Sequence, residues 1–379
     1  MPTSTGPNTE ASVPSRAARV PRAGPERRQL ALRLTRFGGP EGFELVEQPM
    51  PAPRPHEVRV RVLAASVQFT DIILRQGKYP DLKEKPPLVL GYDVVGEIDA
   101  VGSEVSSLAV GDRVADLTMT GSYARWRTLR ADRVVRVPLG VDAAEADALV
   151  LSWVTAYQLL HREAGVAEGQ KVLVCGAAGA VGQALCALGK LAGLKIWGVG
   201  RTEHADLIRS LGATPVDLKT QDVRALVPEG FDVVFDGIGE QGFAASWACL
   251  KRTGTLCAFG FTSAVRRGTG LMTMGWWLLR LHLWNWSSTD KAARFYSIMA
   301  LRKRQPDWYR ADLQKLFELL AAKAIRPRIA ERIGLEGVAR AHRRLEAGGL
   351  TGKIVICPWE TAAGRSPNLD PTRRADKHG

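Results

Sequence analysis

The chain has 379 residues, 45% of them hydrophobic and 24% charged, with a formal net charge of +13. That length allows two globular domains, and the composition excludes a disordered or fibrous chain. The basic residues are scattered, with no aromatic-interleaved basic run, so a nucleic-acid partner is not expected.

Residues 1–28 are rich in Pro, Ser, Ala and Arg, have little to bury and lack an apolar signal core, and read as a disordered tail. From Leu30 to Val137 short strands alternate with Gly and Pro. Ala31–Arg36, Glu44–Glu47, Glu57–Ala65 and Val94–Val101 are the clearest, and Val58-Arg59-Val60-Arg61-Val62 has the period-two pattern of a half-buried strand.

Lys171–Cys175 is an apolar strand that runs into Gly176-Ala177-Ala178-Gly179-Ala180-Val181-Gly182. Val181, Leu185, Leu188 and Ala192 then mark one face of a helix, which Gly193 closes before a second strand, Lys195–Val199. This is the strand-turn-helix-strand unit of a dinucleotide site. Gly179 lets the backbone approach a pyrophosphate, Gly182 lets the helix pack on the strand, and the helix N-terminus offers N–H groups to the phosphates. Ala177 stands where the first glycine usually is. An NAD site places an acid at the end of the second strand, whereas this chain has Gly200-Arg201-Thr202 there. Arg201 suits a 2′-phosphate, so NADPH is the expected cofactor.

Thr214–Val216, Phe231–Asp236 and Gly254–Phe259 continue as buried strands, and Phe295–Ala300 reads as the last of them. Leu271–Trp286 holds four Trp and is too short and too interrupted to span a bilayer. It reads as an apolar acceptor pocket over the cleft, as an interfacial membrane anchor, or as core or dimer contact. Pro306–Ala322 and Leu335–Glu346 are amphipathic helices, Thr351–Ile356 is a strand, and 359–379 reads as a second disordered tail. The five cysteines form no C-x-x-C pair, and Cys175, Cys257 and Cys357 lie in apolar runs. They read as reduced core thiols of a cytoplasmic protein.

Several segments together carry a family resemblance. They are Asp71-x-x-x-Arg75-x-Gly77-x-Tyr79-Pro80, Pro87-x-x-x-Gly91-x-Asp93-x-x-Gly96, Gly111-Asp112-Arg113-Val114, Thr155-Ala156-Tyr157, the glycine turn, Phe235-Asp236-Gly237-Ile238-Gly239, Ala341-His342-x-x-Leu345-Glu346 and Gly352-Lys353-Ile354-Val355. In this order they resemble the medium-chain dehydrogenase/reductase superfamily, in its zinc-free quinone oxidoreductase branch. The resemblance implies an α/β fold: a GroES-like β-rich catalytic domain over 29–150, completed by 325–358, with a Rossmann domain over 151–324 inserted. It also implies hydride transfer from NADPH to a quinone or an activated C=C, and a homodimer. The alternative it leaves is an NADPH-binding, membrane-associated or structural protein of the same fold with little activity.

The resemblance places Gln68, Thr155, Gly237, Ile238, Gly260, Phe261 and Lys353 at the cofactor, beside the turn residues Gly176 to Gly182 and Arg201. Zinc relatives carry Cys near position 68 and Gly-His-Glu near position 91. Here Gln68 and Gly91-Tyr92-Asp93 stand there, so no metal is expected. Gln68 keeps the amide that the reductase branch supplies from Asn. Tyr79 and Tyr92 are the candidate hydrogen-bond donors of the catalytic domain, and His342 reads as structural.

Overall fold

The computed structural model describes residues 27–239, 243–260, 263, 271–287 and 290–360. Most of both expected tails lies outside these residues. Arg28 instead opens β1 (Arg28–Leu34), because this run pairs residue for residue with β2 (Phe43–Pro49). Trp359 is likewise anchored: its indole N–H donates to Val62 O (2.8 Å) and its ring packs edge-on against Trp126.

β3 (Glu57–Val67) follows. Val58, Val60 and Val62 are fully buried and Arg59 and Arg61 half-buried, so the alternation in sequence is the alternation of faces. Next come α1 (Phe69–Arg75), β4 (Leu88–Val89), β5 (Asp93–Val101), β6 (Arg113–Leu117), β7 (Trp126–Arg130) and β8 (Val135–Arg136). α2 (Ala143–Ala148) starts where the Asp142 side chain accepts from Glu145 N (3.0 Å), a typical N-cap. The chain then passes through two π-helical turns, Leu149–Trp153 and Leu159–Ala164, on either side of α3 (Val154–Gln158).

A second sheet begins with β9 (Lys171–Cys175), α4 (Ala180–Leu191), β10 (Lys195–Val199), α5 (Ala205–Ser210), β11 (Thr214–Val216), α6 (Val223–Leu226) and β12 (Phe231–Asp236). It continues with α7 (Ala244–Ala248), β13 (Leu250–Ala258), α8 (Leu271–Ser287) and β14 (Ala292–Phe295). Its strand order is β11-β10-β9-β12-β13-β14 and every pairing is parallel. The order reverses between β9 and β12, the switch point at which open α/β sheets bind ligands. The last strand of this sheet is thus Ala292–Phe295, earlier than the apolar run at Phe295–Ala300. That run instead opens a helix, α9 (Ile298–Arg304), whose N-cap Ser297 accepts from Ala300 N (3.4 Å).

α10 (Pro306–Ala321) buries Leu313, Leu316 and Phe317. β15 (Ile329–Ile333), α11 (Val338–Ala347) and β16 (Lys353–Ile356) then return to the first domain. There the order is β15-β16-β3-β5-β6-β8, with β7 paired to the first half of β3 (Glu57–Arg61) and β16 to its end (Ala65–Val67), so the end of the chain completes a sheet built from its first half.

Val172 and Val174 of β9 join the core shared with the catalytic domain. Leu173, between them, faces the other way, into a cluster with Val234, Leu256 and Leu281. α8 lies in that second cluster. Leu271–Trp286 therefore packs on the face of the parallel sheet opposite the catalytic domain, and the pocket over the interdomain cleft is not where it sits. Two partly buried ion pairs tie distant segments: Arg302 of α9 with buried Asp116 of β6, and buried Arg75 of α1 with half-buried Glu346 of α11.

Candidate active site

The turn after β9 is built by glycines at two positions. Gly176 has φ +81°, and a Cβ at Gly182 would stand 2.7 Å from Ala177 Cα, so α4 rests directly on the turn. Ala177 N–H donates to Val199 O (2.9 Å), and the Gln183 side chain donates to Ala178 O (2.7 Å). Gly179 is different: a Cβ there would meet only Gly176 O, at 3.3 Å. Gly179 is also the N-cap of α4 and supplies no side-chain cap. Ala180 and Val181 follow in the first turn. The N-terminus of α4 is thus an open cradle of backbone donors, the arrangement that takes a phosphate.

Neighbouring strand ends converge on it. Asp236 Oδ1 accepts from Ile238 N (2.8 Å) and Gly239 N (3.0 Å), which shapes the turn after β12, and Ile238 lies against Gly176. Gly237 and Gly260 back one another, with Gly237 O 2.8 Å from where a Gly260 Cβ would be. Phe261 lies outside the described residues. β10 pairs with β9 so that Val199 faces Cys175, which sets Arg201 beside the turn. The Arg201 side chain is about half exposed and meets Glu203 at 3.0 Å, while Thr202 N and Oγ1 are held by Asp217 Oδ2.

The catalytic domain contributes a buried polar cluster, assembled by strand register. Ile354 faces Val67, so Lys353 at the start of β16 reaches Gln68 at the end of β3. Lys353 Nζ donates to Gln68 Oε1, and Gln68 Nε2 donates to Asp93 Oδ2. Asp93 Oδ1 accepts from Ser66 N (2.8 Å), and Ser66 Oγ donates to Asp147. Asp71 Oδ2 accepts from Gln68 N (2.9 Å) as half of a capping box. Burial pushes the Asp71 carboxyl up to about 8, helped by the Asp93 charge. Burial likewise raises Asp93 and Asp147 and lowers Lys353. The Gln68 amide is thus used at both ends by the protein. An ammonium set among these groups repels a divalent cation, so the donor set does not suit zinc.

Tyr92, next to Asp93, is 1% exposed, and its hydroxyl lies 2.6 Å from that of half-buried Tyr79. Burial raises both phenols above their usual 10, so both stay protonated donors at neutral pH. Thr155 is buried in α3, which packs on α4. A cleft of about 710 Å³ joins the two halves: Ala180 and Gln183 line one wall, Lys353, Gly352 and Arg328 the other. Asp147, Ser66 and Gln183 are parts of this site that sequence reasoning missed. Asp147 sits in an alanine-rich helix and Ser66 in a strand, so no spacing marks them. Gln183 follows the glycine turn and carries no signal of its own. His342 is buried, and burial pushes its imidazole down to about 3, which leaves it neutral and structural.

A parallel sheet with an open phosphate cradle at its switch point, facing a buried polar cluster on a GroES-like domain, defines an oxidoreductase that uses a nicotinamide dinucleotide. The comparisons agree. Residues 54–139 match the alcohol dehydrogenase GroES-like domain, and residues 211–356 match a family described as zinc-binding dehydrogenase. The chain is 32% identical over 339 residues to a quinone oxidoreductase of Pseudomonas aeruginosa, covering 86% of this chain and 99% of that one. It is 29% identical over 355 residues to a 2-haloacrylate reductase of a Burkholderia species, covering 87% and 99%. A mycobacterial protein solved in complex with NADPH superposes with a TM-score of 0.75 at 29% identity, covering 87% and 100%. The chain belongs to the zinc-independent, quinone oxidoreductase-like branch of the medium-chain dehydrogenase/reductase superfamily.

Proposed function

We propose that the protein transfers hydride from NADPH to a quinone or an activated C=C. The observation that carries this reading is Arg201, standing exposed beside the glycine turn where an NAD site has an acid. The names of the relatives, a quinone oxidoreductase and a 2-haloacrylate reductase, support the acceptor class.

A bound nicotinamide supplies the hydride. Backbone N–H groups of Ala180, Val181 and Gly182 would hold the pyrophosphate, while the Gly179 N–H closes the turn onto Gly176 O (3.0 Å). Arg201 leaves Glu203 for the 2′-phosphate, exchanging a solvated pair for a charge-assisted fork. Gly237, Ile238 and Gly260 floor the site, and Lys353 fixes the Gln68 amide at its edge. Hydride addition drives negative charge onto the acceptor oxygen, and the linked hydroxyls of Tyr79 and Tyr92 donate to it.

The test is oxidation of NADPH and NADH by the purified full chain with a panel of quinones, enones and simple aldehydes. Turnover of NADPH with the first two classes is expected. Turnover confined to aldehydes, or none with any acceptor, would refute the reading.

A further inference from the structure

The cations on the catalytic-domain wall of the cleft are spent unequally. Arg326, Arg328, Arg332 and Lys353 line it, against the acids Glu145 and Glu331. Both acids are engaged: Arg326 lies 3.7 Å from Glu145, and Arg340 meets Glu331 at 2.6 Å with Arg344 on its other oxygen. Arg332 turns away to Asp142 (2.8 Å), and Lys353 donates to Gln68. Arg328 is the exception. Its side chain is exposed, and among the described residues its guanidinium has no carboxylate and no carbonyl to meet.

The base of Arg328 is nevertheless fixed. Buried Pro327 precedes it, and its O accepts from Lys353 N (2.8 Å) at the start of β16. Its stem rests on Gly352, where φ is +105° and a Cβ would stand 3.1 Å from Arg328 Cγ. Gly352 ends the short loop that joins α11 to β16. The same loop holds Gly349, where φ is +75° and a Cβ would stand 3.3 Å from Nη2 of Arg201. One glycine-rich loop therefore carries an arginine of the catalytic domain at one end and an arginine of the Rossmann domain at the other. Ala180, in the first turn of α4, lines the same cleft. Cations gathered around one loop and one helix N-terminus repel each other, and an anion between them removes that cost.

We propose that Arg328 is a phosphate ligand of the bound dinucleotide, supplied by the catalytic domain. The proposal rests on the placement of a nicotinamide dinucleotide in this cleft and adds a residue to it from the opposite wall. The planar fork of Arg328 suits two phosphate oxygens. Two phosphate groups lie along the cleft in that placement: the pyrophosphate at the N-terminus of α4 and the 2′-phosphate beside Arg201. The cofactor is then held from both domains at once.

The test is calorimetric titration of the full chain with NADPH and with NADH, for the wild type, Arg328→Ala, Arg328→Lys and Arg326→Ala. Arg328→Ala should bind NADPH roughly tenfold or more weakly, and the difference should shrink in high salt. Arg328→Lys keeps the charge without the fork and should recover part of the loss. Arg326→Ala should bind as the wild type does, because that side chain already faces Glu145. All four should melt alike without cofactor, since both arginines are exposed. A loss confined to NADPH would assign Arg328 to the 2′-phosphate, and an equal loss of both cofactors would assign it to the pyrophosphate. Wild-type affinity of Arg328→Ala for both cofactors, or the same loss in Arg326→Ala, would overturn the proposal. If the wild type binds the two cofactors alike and Arg328→Ala loses both, the NADPH reading falls and this one stands. A wild type that binds neither would sink both.

Discussion

Gly182→Val is expected to abolish cofactor binding and to lower the melting temperature. A Cβ at this position would meet Ala177 Cα at 2.7 Å and Ala177 C at 2.9 Å, both backbone, so the whole of α4 must lift from the turn. Overpacking of this kind costs about 1–3 kcal/mol, and here it also moves the cradle. Gly179→Ala separates the two effects. Its Cβ has open space but for Gly176 O at 3.3 Å, so the fold should hold. With the pyrophosphate in the proposed cradle, however, the methyl group would take the place of a phosphate oxygen. Losing one charge-assisted hydrogen bond weakens binding by roughly 10- to 150-fold, from about 1.5–3 kcal/mol. Calorimetric titration with NADPH and thermal melts of both variants check this. Wild-type binding by Gly179→Ala would show that the pyrophosphate lies elsewhere.

The turn could be read from sequence because its physics is local: a strand, three small residues and an apolar helical face lie within thirty residues. The same holds for the alternation Val58-Arg59-Val60-Arg61-Val62. The buried cluster was only half legible. Gln68, Asp93 and Lys353 stood in recognisable motifs, but their union depends on β16 pairing with β3 across most of the chain, and no local pattern specifies that pairing. Asp147 and Ser66 carried no signal at all. The motifs containing Arg75 and Glu346 were noted separately, and only the structure joins them as an ion pair. The Trp-rich stretch stayed open among three readings for a different reason. It is apolar on both sides, so its periodicity could not say which side faces the protein.

Asp71 should give the protein a descending stability profile across neutral pH. In the folded state this buried carboxyl holds its proton up to about 8, against 3.8 for an unperturbed Asp. Between those values the folded chain binds a proton that the unfolded chain has released. The stability it contributes is therefore complete below about pH 4 and is lost as pH rises toward 8, at about 1.4 kcal/mol per pH unit. Asp71→Asn keeps an oxygen for Gln68 N–H and cannot ionise. Its stability, from urea unfolding at a series of pH values, should be flatter over this window than that of the wild type. An unchanged slope would assign the titration to Asp93 or Asp147 instead.

If Arg201 holds the 2′-phosphate, as proposed, it sets the choice between NADPH and NADH, and the affinities for the two cofactors decide the matter. Dissociation constants for NADPH and NADH should be measured for the wild type and for Arg201→Ala. The wild type should prefer NADPH. The variant should lose roughly 10- to 150-fold in NADPH affinity, the equivalent of a charge-assisted fork, while NADH binding stays nearly as it was. Equal binding of both cofactors by the wild type, or an equal loss of both in the variant, would contradict the account.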